Sequence, residues 1–137
     1  MLIVVDANVV FSALLNKGLP FEVFRSNKLF KKFEFITPEF LFTEIGKRLD
    51  KIEKQSKLSK EEISDIFSLI KKQISIIPLS EFSDKQEEAK LINFKDSPYL
   101  ALALKYNCPV FSGDKKLKEQ NKVQVLSPRE IIDSLVE

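Results

Sequence analysis

A chain of 137 residues is long enough for one compact domain with a single sizeable core. Its 22 basic and 20 acidic residues leave a formal charge of +2, so any nucleic-acid surface must be local rather than global. The absence of histidine excludes Ser-His-Asp and Cys-His centres and histidine-ligated zinc or iron, and a single cysteine, Cys108, excludes an internal disulfide or a multi-cysteine metal site.

Leu2 to Val5 is an unbroken apolar run rich in β-branched residues, which predicts a strand buried on both faces. It stops on Asp6. Asn8 then precedes Val9, Val10, Ala13 and Leu14, whose spacing marks one face of a short helix. A carboxylate is thereby set at the end of a central strand, where open α/β sheets hold their ligands. Capping of the helix by Asp6 or Asn8 is the competing reading. Pro20 suits the first turn of a second short helix, with Phe21 and Phe24 inward and its end near Asn27. Phe33 to Ile36 predicts a second strand. Thr37-Pro38 has the form of a helix start, a cap followed by proline, for a third helix running to Ile52 with Leu41, Phe42, Ile45 and Leu49 inward. Gly46 weakens that helix by roughly 1 kcal/mol relative to alanine, and points to close packing.

Glu53 to Glu62 predicts a solvated turn in which Ser59 and Glu62 have capping-box spacing. Ile63, Ile66, Phe67, Ile70 and Ile74 mark a fourth helix. Ser75 to Leu79 predicts a third strand, which Pro78 assigns to a sheet edge. Ser80 to Lys90 is polar and reads as a short helix or an irregular segment. Asp96-Ser97-Pro98 opens a helix whose body, Tyr99 to Leu104, is apolar nearly all round and therefore heavily buried. Pro109 to Phe111 predicts a fourth strand, leading into Ser112-Gly113-Asp114 and the lysines Lys115, Lys116 and Lys118. Val123 to Leu126 predicts a fifth, and Ser127-Pro128 opens a final helix through Leu135. The alternation predicts an α/β fold: one domain over residues 1–137, with a central parallel sheet of about five strands and helices on both faces. No apolar run reaches membrane-spanning length and no basic-then-apolar leader precedes the first strand, so the expected location is cytoplasmic.

The carboxylates fall into a pattern. Asp6 and Asp114 each follow a buried strand, and Asp96 begins the helix that feeds the fourth strand. If the first and fourth strands are neighbours across a topological switch point, these side chains meet in one crevice. Asp96 and Asp114 are each also placed to cap a turn. Glu44 lies mid-helix, where it cannot cap, beside the apolar face. The glycines Gly18, Gly46 and Gly113 are too scattered for a phosphate-cradling loop. Chemistry here must therefore come from carboxylates, amides, hydroxyls and lysines. That donor set selects hard cations such as Mg²⁺ or Mn²⁺.

Four stretches together resemble the ordered motifs of PIN domains: Val4-Val5-Asp6-Ala7-Asn8; Thr37-Pro38-Glu39 leading to Glu44; Lys95-Asp96-Ser97-Pro98-Tyr99-Leu100-Ala101-Leu102-Ala103; and Phe111-Ser112-Gly113-Asp114. That family comprises metal-dependent ribonucleases, many of them toxins of prokaryotic toxin–antitoxin pairs of the VapC type. The resemblance implies a PIN-like nuclease hydrolysing phosphodiester bonds of single-stranded RNA. It assigns Asp6, Glu44, Asp96 and Asp114 to the catalytic acidic cluster, with Asp6, Asp96 and Asp114 as principal ligands of Mg²⁺ or Mn²⁺. Asn8 and Ser112 match supporting polar positions. An antitoxin protein and a second copy of the chain are the partners it implies, the second copy meeting apolar residues of the third and fourth helices. Lys115 and Lys116 stand where some toxin-type members carry a further acidic residue, so both one-ion and two-ion sites are compatible.

Lys115, Lys116 and Lys118, with Lys17, Arg25 and Lys28 behind them, are the candidate contacts to RNA phosphates, against the reading of an ordinary solvated face. Two other functions compete with the nuclease. A phosphatase of the haloacid dehalogenase type shares faint echoes at Asp6-Ala7-Asn8 and Ser112-Gly113-Asp114, but wants an Asp where Asn8 stands. A catalytically degenerate PIN-like module would keep the fold and bind RNA or protein without turnover.

Overall fold

In the computed structural model, which describes residues 1–135, five parallel strands form one sheet: β1 (Leu2–Val5), β2 (Glu34–Pro38), β3 (Ile74–Ile77), β4 (Val110–Phe111) and β5 (Val125–Leu126). The last two residues of the expected 1–137 domain lie outside the described residues. Eight helices connect and cover the strands: α1 (Ala7–Leu15), α2 (Leu19–Phe30), α3 (Leu41–Lys47), α4 (Leu49–Gln55), α5 (Lys60–Gln73), α6 (Gln86–Ile92), α7 (Ser97–Tyr106) and α8 (Pro128–Leu135). Spatial order is β3-β2-β1-β4-β5. The chain steps outward from β1 to β3, then returns to lay β4 on the other side of β1, which puts the switch point between β1 and β4. This is the adjacency that the aspartate pattern required.

Successive side chains of a strand point to opposite faces, and Ile3, Val4 and Val5 are all buried, so β1 is covered on both faces. One part of the core is aromatic. Phe24 of α2 packs edge-on to Phe35 of β2 at 5.2 Å between centroids, and Phe111 of β4 stands 6.0 Å from Phe24. Elsewhere α7 buries Tyr99 through Ala103 without a break, as its all-round apolar sequence requires, and packs on β1 and β2. Ser59 and Glu62 form the expected capping box at the start of α5, both bonds 3.1 Å. β3 takes the sheet edge, with Pro78 just beyond it.

Four expectations need correction. Thr37-Pro38 does not begin a helix: β2 runs through Pro38, which pairs with Ile77, and the helix waits until Leu41. The Thr37 hydroxyl donates to the Val5 carbonyl at 3.0 Å instead of capping. Proline is tolerated because pairing of β2 with β1 ends at Ile36, so no ladder donor is needed at Pro38 on that side. The single third helix is two, α3 and α4, broken at Arg48, where φ −105° and ψ 8° leave the helical region. Gly46 sits in the turn before that break, where its low helix propensity acts. It does not mark close packing, since a Cβ there would meet nothing within 4 Å. Finally, α2 continues past Asn27 to Phe30, where Lys31 turns left-handed at φ 51°, leaving Leu29 and Phe30 exposed.

Among the described residues no helix is long and apolar enough to cross a membrane.

Candidate functional site

Asp6 continues the ladder of β1 by one residue: its N–H donates to the Phe111 carbonyl at 3.0 Å, which fixes it beside the chain leaving β4. Its side chain is 5% exposed, and Oδ2 accepts from the Ser112 hydroxyl at 2.8 Å. Ser112 Oγ in turn accepts from Asn8 Nδ2 at 3.2 Å and from the Asp114 N–H at 3.0 Å. With two N–H donors aimed at it, the hydroxyl has only its own proton left to give, and Asp6 is where it goes. Asn8 Oδ1 accepts from the Gly113 N–H at 3.3 Å, so one amide ties the ends of β1 and β4 together. Asp6 forms no full side-chain cap on α1, although the first backbone N–H groups of that helix, at Ala7 and Asn8, also stabilise its carboxylate.

Asp114 takes the capping role open to it. Its Oδ1 accepts from the Lys116 and Leu117 N–H groups at 2.9 and 3.4 Å, bracing the short 3₁₀ turn at Leu117–Glu119. Asp96 precedes α7 without a side-chain cap; Asn93 Oδ1 holds its N–H at 3.1 Å, and the carboxyl is left half-buried beside the crevice.

Electrostatics tie the three aspartates to each other. Burial pushes the Asp6 carboxyl up to about 6, the Ser112 hydrogen bond opposes that, and the nearby Asp96 charge raises it further. Asp96 is itself raised, first by burial and then by Asp114, with Lys95 opposing. Like charges are thus gathered at the switch point.

Glu44 is placed differently. It lies on the exposed side of α3, its side chain half-exposed, 3.9 Å from Arg48, which itself lies over the Phe11 ring. Tyr99, one turn into α7, is the residue that sequence reasoning missed. It is buried against Phe40, its ring 6.0 Å away and edge-on. Burial, then Asp6, then Glu44, raise its phenol far above the ordinary value, so it stands as a neutral donor among carboxylates. The signal was present: Tyr99 follows Asp96 at helical spacing i,i+3 and so shares its face.

The basic surface is smaller than the sequence implied. Lys118 pairs with Glu130, Lys17 with Glu62 at 3.0 Å, and Arg25 with Glu22 at 2.9 Å. Lys115 and Lys116 are exposed and enter no ion pair among the described residues. Among the described residues no three acidic, cysteine or histidine side chains form a closed metal-holding group. Mg²⁺ does not need one, since it keeps several waters and binds through one or two carboxylates. The oxygen donors of Asp6 and Asp96 fit such an ion. A cleft of about 950 Å³ lies at the opposite, amino edge of the sheet and contains none of these aspartates. Of the apolar residues on α3, α4 and α5 considered for a dimer face, Phe42, Leu49, Phe67 and Leu69 are part-exposed and none is among the most exposed large apolar side chains.

An open parallel sheet with aspartates electrostatically coupled at its switch point has the arrangement in which open α/β folds hold their ligands. The sequence matches the PIN domain family over residues 4–127, and the chain belongs to that family. PIN domains are generally nucleases that depend on divalent metal. No curated protein sequence matches the chain. Among solved structures the chain is similar to the crystal structure of VapBC2 from Rickettsia felis bound to a DNA fragment from their promoter. The TM-score is 0.64 at 14% identity, over 93% of this chain and 98% of that one, which is a likeness of fold.

Proposed function

We propose that the chain is a Mg²⁺- or Mn²⁺-dependent endoribonuclease hydrolysing phosphodiester bonds of single-stranded RNA, acting in the cytoplasm as the toxin of a toxin–antitoxin pair. The observation that carries the enzymatic reading is the gathering of Asp6, Asp96 and Asp114 at the β1–β4 switch point, with Asp6 buried and fixed by Ser112. Burial and mutual repulsion raise the energy of the charged carboxylates, and a divalent cation is the partner that relieves it. Asp6, Asp96 and Asp114 would hold the ion, with Glu44 reaching in from the rim. When bound, it supplies an activated water and a counter-charge for the scissile phosphate without any histidine.

The protein's own groups do the positioning. The Ser112 hydroxyl donates to Asp6 Oδ2 and so fixes the orientation of the carboxylate. Asn8 holds both Ser112 and the Gly113 amide, and so keeps the two strand ends in register. Asp114 commits Oδ1 to the turn, which orients its second oxygen. Tyr99 stays protonated and can donate to a phosphate oxygen beside the carboxylates. Lys115 and Lys116 are positioned to meet the RNA backbone next to Asp114.

An antitoxin protein and a second copy of the chain remain the partners the family resemblance implies; the structural relative is itself a VapBC2 assembly on promoter DNA. A degenerate module that binds RNA or protein without turnover is the second reading, favoured by the lack of a closed metal group among the described residues. Cleavage of labelled single-stranded RNA by wild type and Asp6→Asn, in Mg²⁺, Mn²⁺ or EDTA, separates the two. Cleavage that requires both metal and Asp6 supports the ribonuclease. Tight RNA binding without turnover in either metal would replace it with the binding module.

A further inference from the structure

The last turn of α6 and the turn that leads to α7 carry two of the most exposed apolar side chains among the described residues. Leu91 is 90% and Phe94 76% exposed, a costly arrangement for an aromatic ring that nothing else requires. The turn is pinned: Asn93 Oδ1 accepts from the Asp96 N–H at 3.1 Å, and the Ser97 N–H reaches the Phe94 carbonyl at 3.4 Å. Phe94 enters none of the ring–ring contacts found among the described residues. It stands two residues before Asp96, a separation of at most about 7 Å along the chain. Lys95, between them, is exposed, and its charge is felt by Asp96.

An aromatic face, an adjacent ammonium and a carboxylate crevice within one short turn match the chemistry of a single nucleotide: a base to stack, a phosphate to pair, and a neighbouring phosphodiester to present. We infer that Phe94 is a stacking platform for a base of the single strand, holding the nucleotide next to the one whose phosphodiester enters the Asp6–Asp96 crevice, with Lys95 against the intervening phosphate. The inference rests on the ribonuclease reading for its substrate. Stacking tolerates any base and needs an unpaired one, so this surface favours single strands over duplex.

The chain contains no tryptophan, so Phe94→Trp installs a single fluorophore at the platform. In an Asp6→Asn background, which removes turnover from the readout, titration with short single-stranded oligo(A) quenches that fluorophore, and the same sequence in duplex does not. Phe94→Ala weakens single-strand binding by about 5- to 150-fold, the range of one lost base stack. In the cleaving protein the loss falls on KM rather than kcat. Phe94→Tyr restores binding and Phe94→Leu does not. Equal binding by the Phe94→Leu and Phe94→Tyr variants, or unquenched indole fluorescence from a saturated complex of the Phe94→Trp protein, overturns the platform. So does a Phe94→Ala protein whose only change is dissociation of a dimer in sedimentation, which would make this a face between copies. The two readings fail separately: quenching without metal-dependent cleavage removes the ribonuclease and keeps the platform. Cleavage that needs Asp6 but ignores Phe94→Ala removes the platform and keeps the ribonuclease.

Discussion

Asn27 and Asp6 are both polar side chains sealed in the domain, 4% and 5% exposed, at opposite edges of the same sheet. At the amino edge, Asn27 accepts from the Phe33 N–H at 2.9 Å and donates to the Phe33 carbonyl at 3.0 Å and to Gln73 Oε1 at 3.2 Å. Gln73 passes its own N–H to the Phe24 carbonyl at 2.7 Å. Every partner there is neutral and answered, so the cluster joins α2, α5 and β2 at little electrostatic cost. At the carboxyl edge, Asp6 has one side-chain donor, Ser112, and a second carboxylate within electrostatic reach. The first cluster answers its polar groups with neutral partners, whereas the second sets buried like charges beside one another, which is the feature the proposed cation would offset.

The contrast can be broken from either side. The largest effects should come from a crossed pair of variants. Asp6→Asn should lower cleavage by more than about 100-fold, beyond what loss of a supporting partner costs at a metal site, while the fold is retained. Asn27→Ala should do the reverse. It strands the Phe33 N–H and carbonyl, costing about 2–4 kcal/mol in denaturant titration, with cleavage per folded molecule kept. Similar behaviour of the two variants in both assays would erase the distinction.

A comparable effect is expected in pH. Asp6 has a folded-state pKa of about 6 against an ordinary 3.8. Below both values the group is protonated in either state and contributes nothing. Between them the folded chain holds a proton that the unfolded chain has lost, so stability falls as pH rises through that window. Above about 6 the penalty is complete, at most about 3 kcal/mol from some 1.36 kcal/mol per pH unit. In EDTA, wild type should therefore lose stability between pH 4 and about 6, and Asp6→Asn should flatten that slope. Asp96, also raised, adds in the same direction. The smallest effect concerns the rim. Replacing Lys115 and Lys116 with alanine should flatten the dependence of log Kd on log salt by about 1.4, or 0.7 per single-strand phosphate contact. An unchanged slope would leave them as solvated surface.

Much of this site was legible in the sequence because strand ends are. An apolar run that stops on Asp6, and another that stops on Ser112-Gly113-Asp114, fix which sheet edge those side chains leave from. Strand order was the missing fact, since the sequence does not reveal that β4 lies against β1. Thr37-Pro38 misled because local signals for a helix start are blind to a sheet that still has a strand to pair at Pro38. The break at Arg48 was hidden by apolar spacing that runs on through Ile52. Tyr99 was hidden by its company: amid Leu100, Ala101, Leu102 and Ala103 it reads as core, and only Asp96 one turn earlier sets its hydroxyl apart. Asn27 gave no signal, because its partners are backbone groups six residues on and an amide from another helix.

The proposed role of the carboxyl-edge aspartates is to hold a divalent cation that offsets their mutual repulsion. It is tested most directly by thermal unfolding of wild type and Asp6→Asn at neutral pH, each in EDTA and in Mn²⁺. The account predicts that Asp6→Asn melts no lower than wild type in EDTA, and that Mn²⁺ raises Tm for wild type but not for the variant. A wild-type Tm indifferent to Mn²⁺, or an equal rise in both proteins, would contradict it.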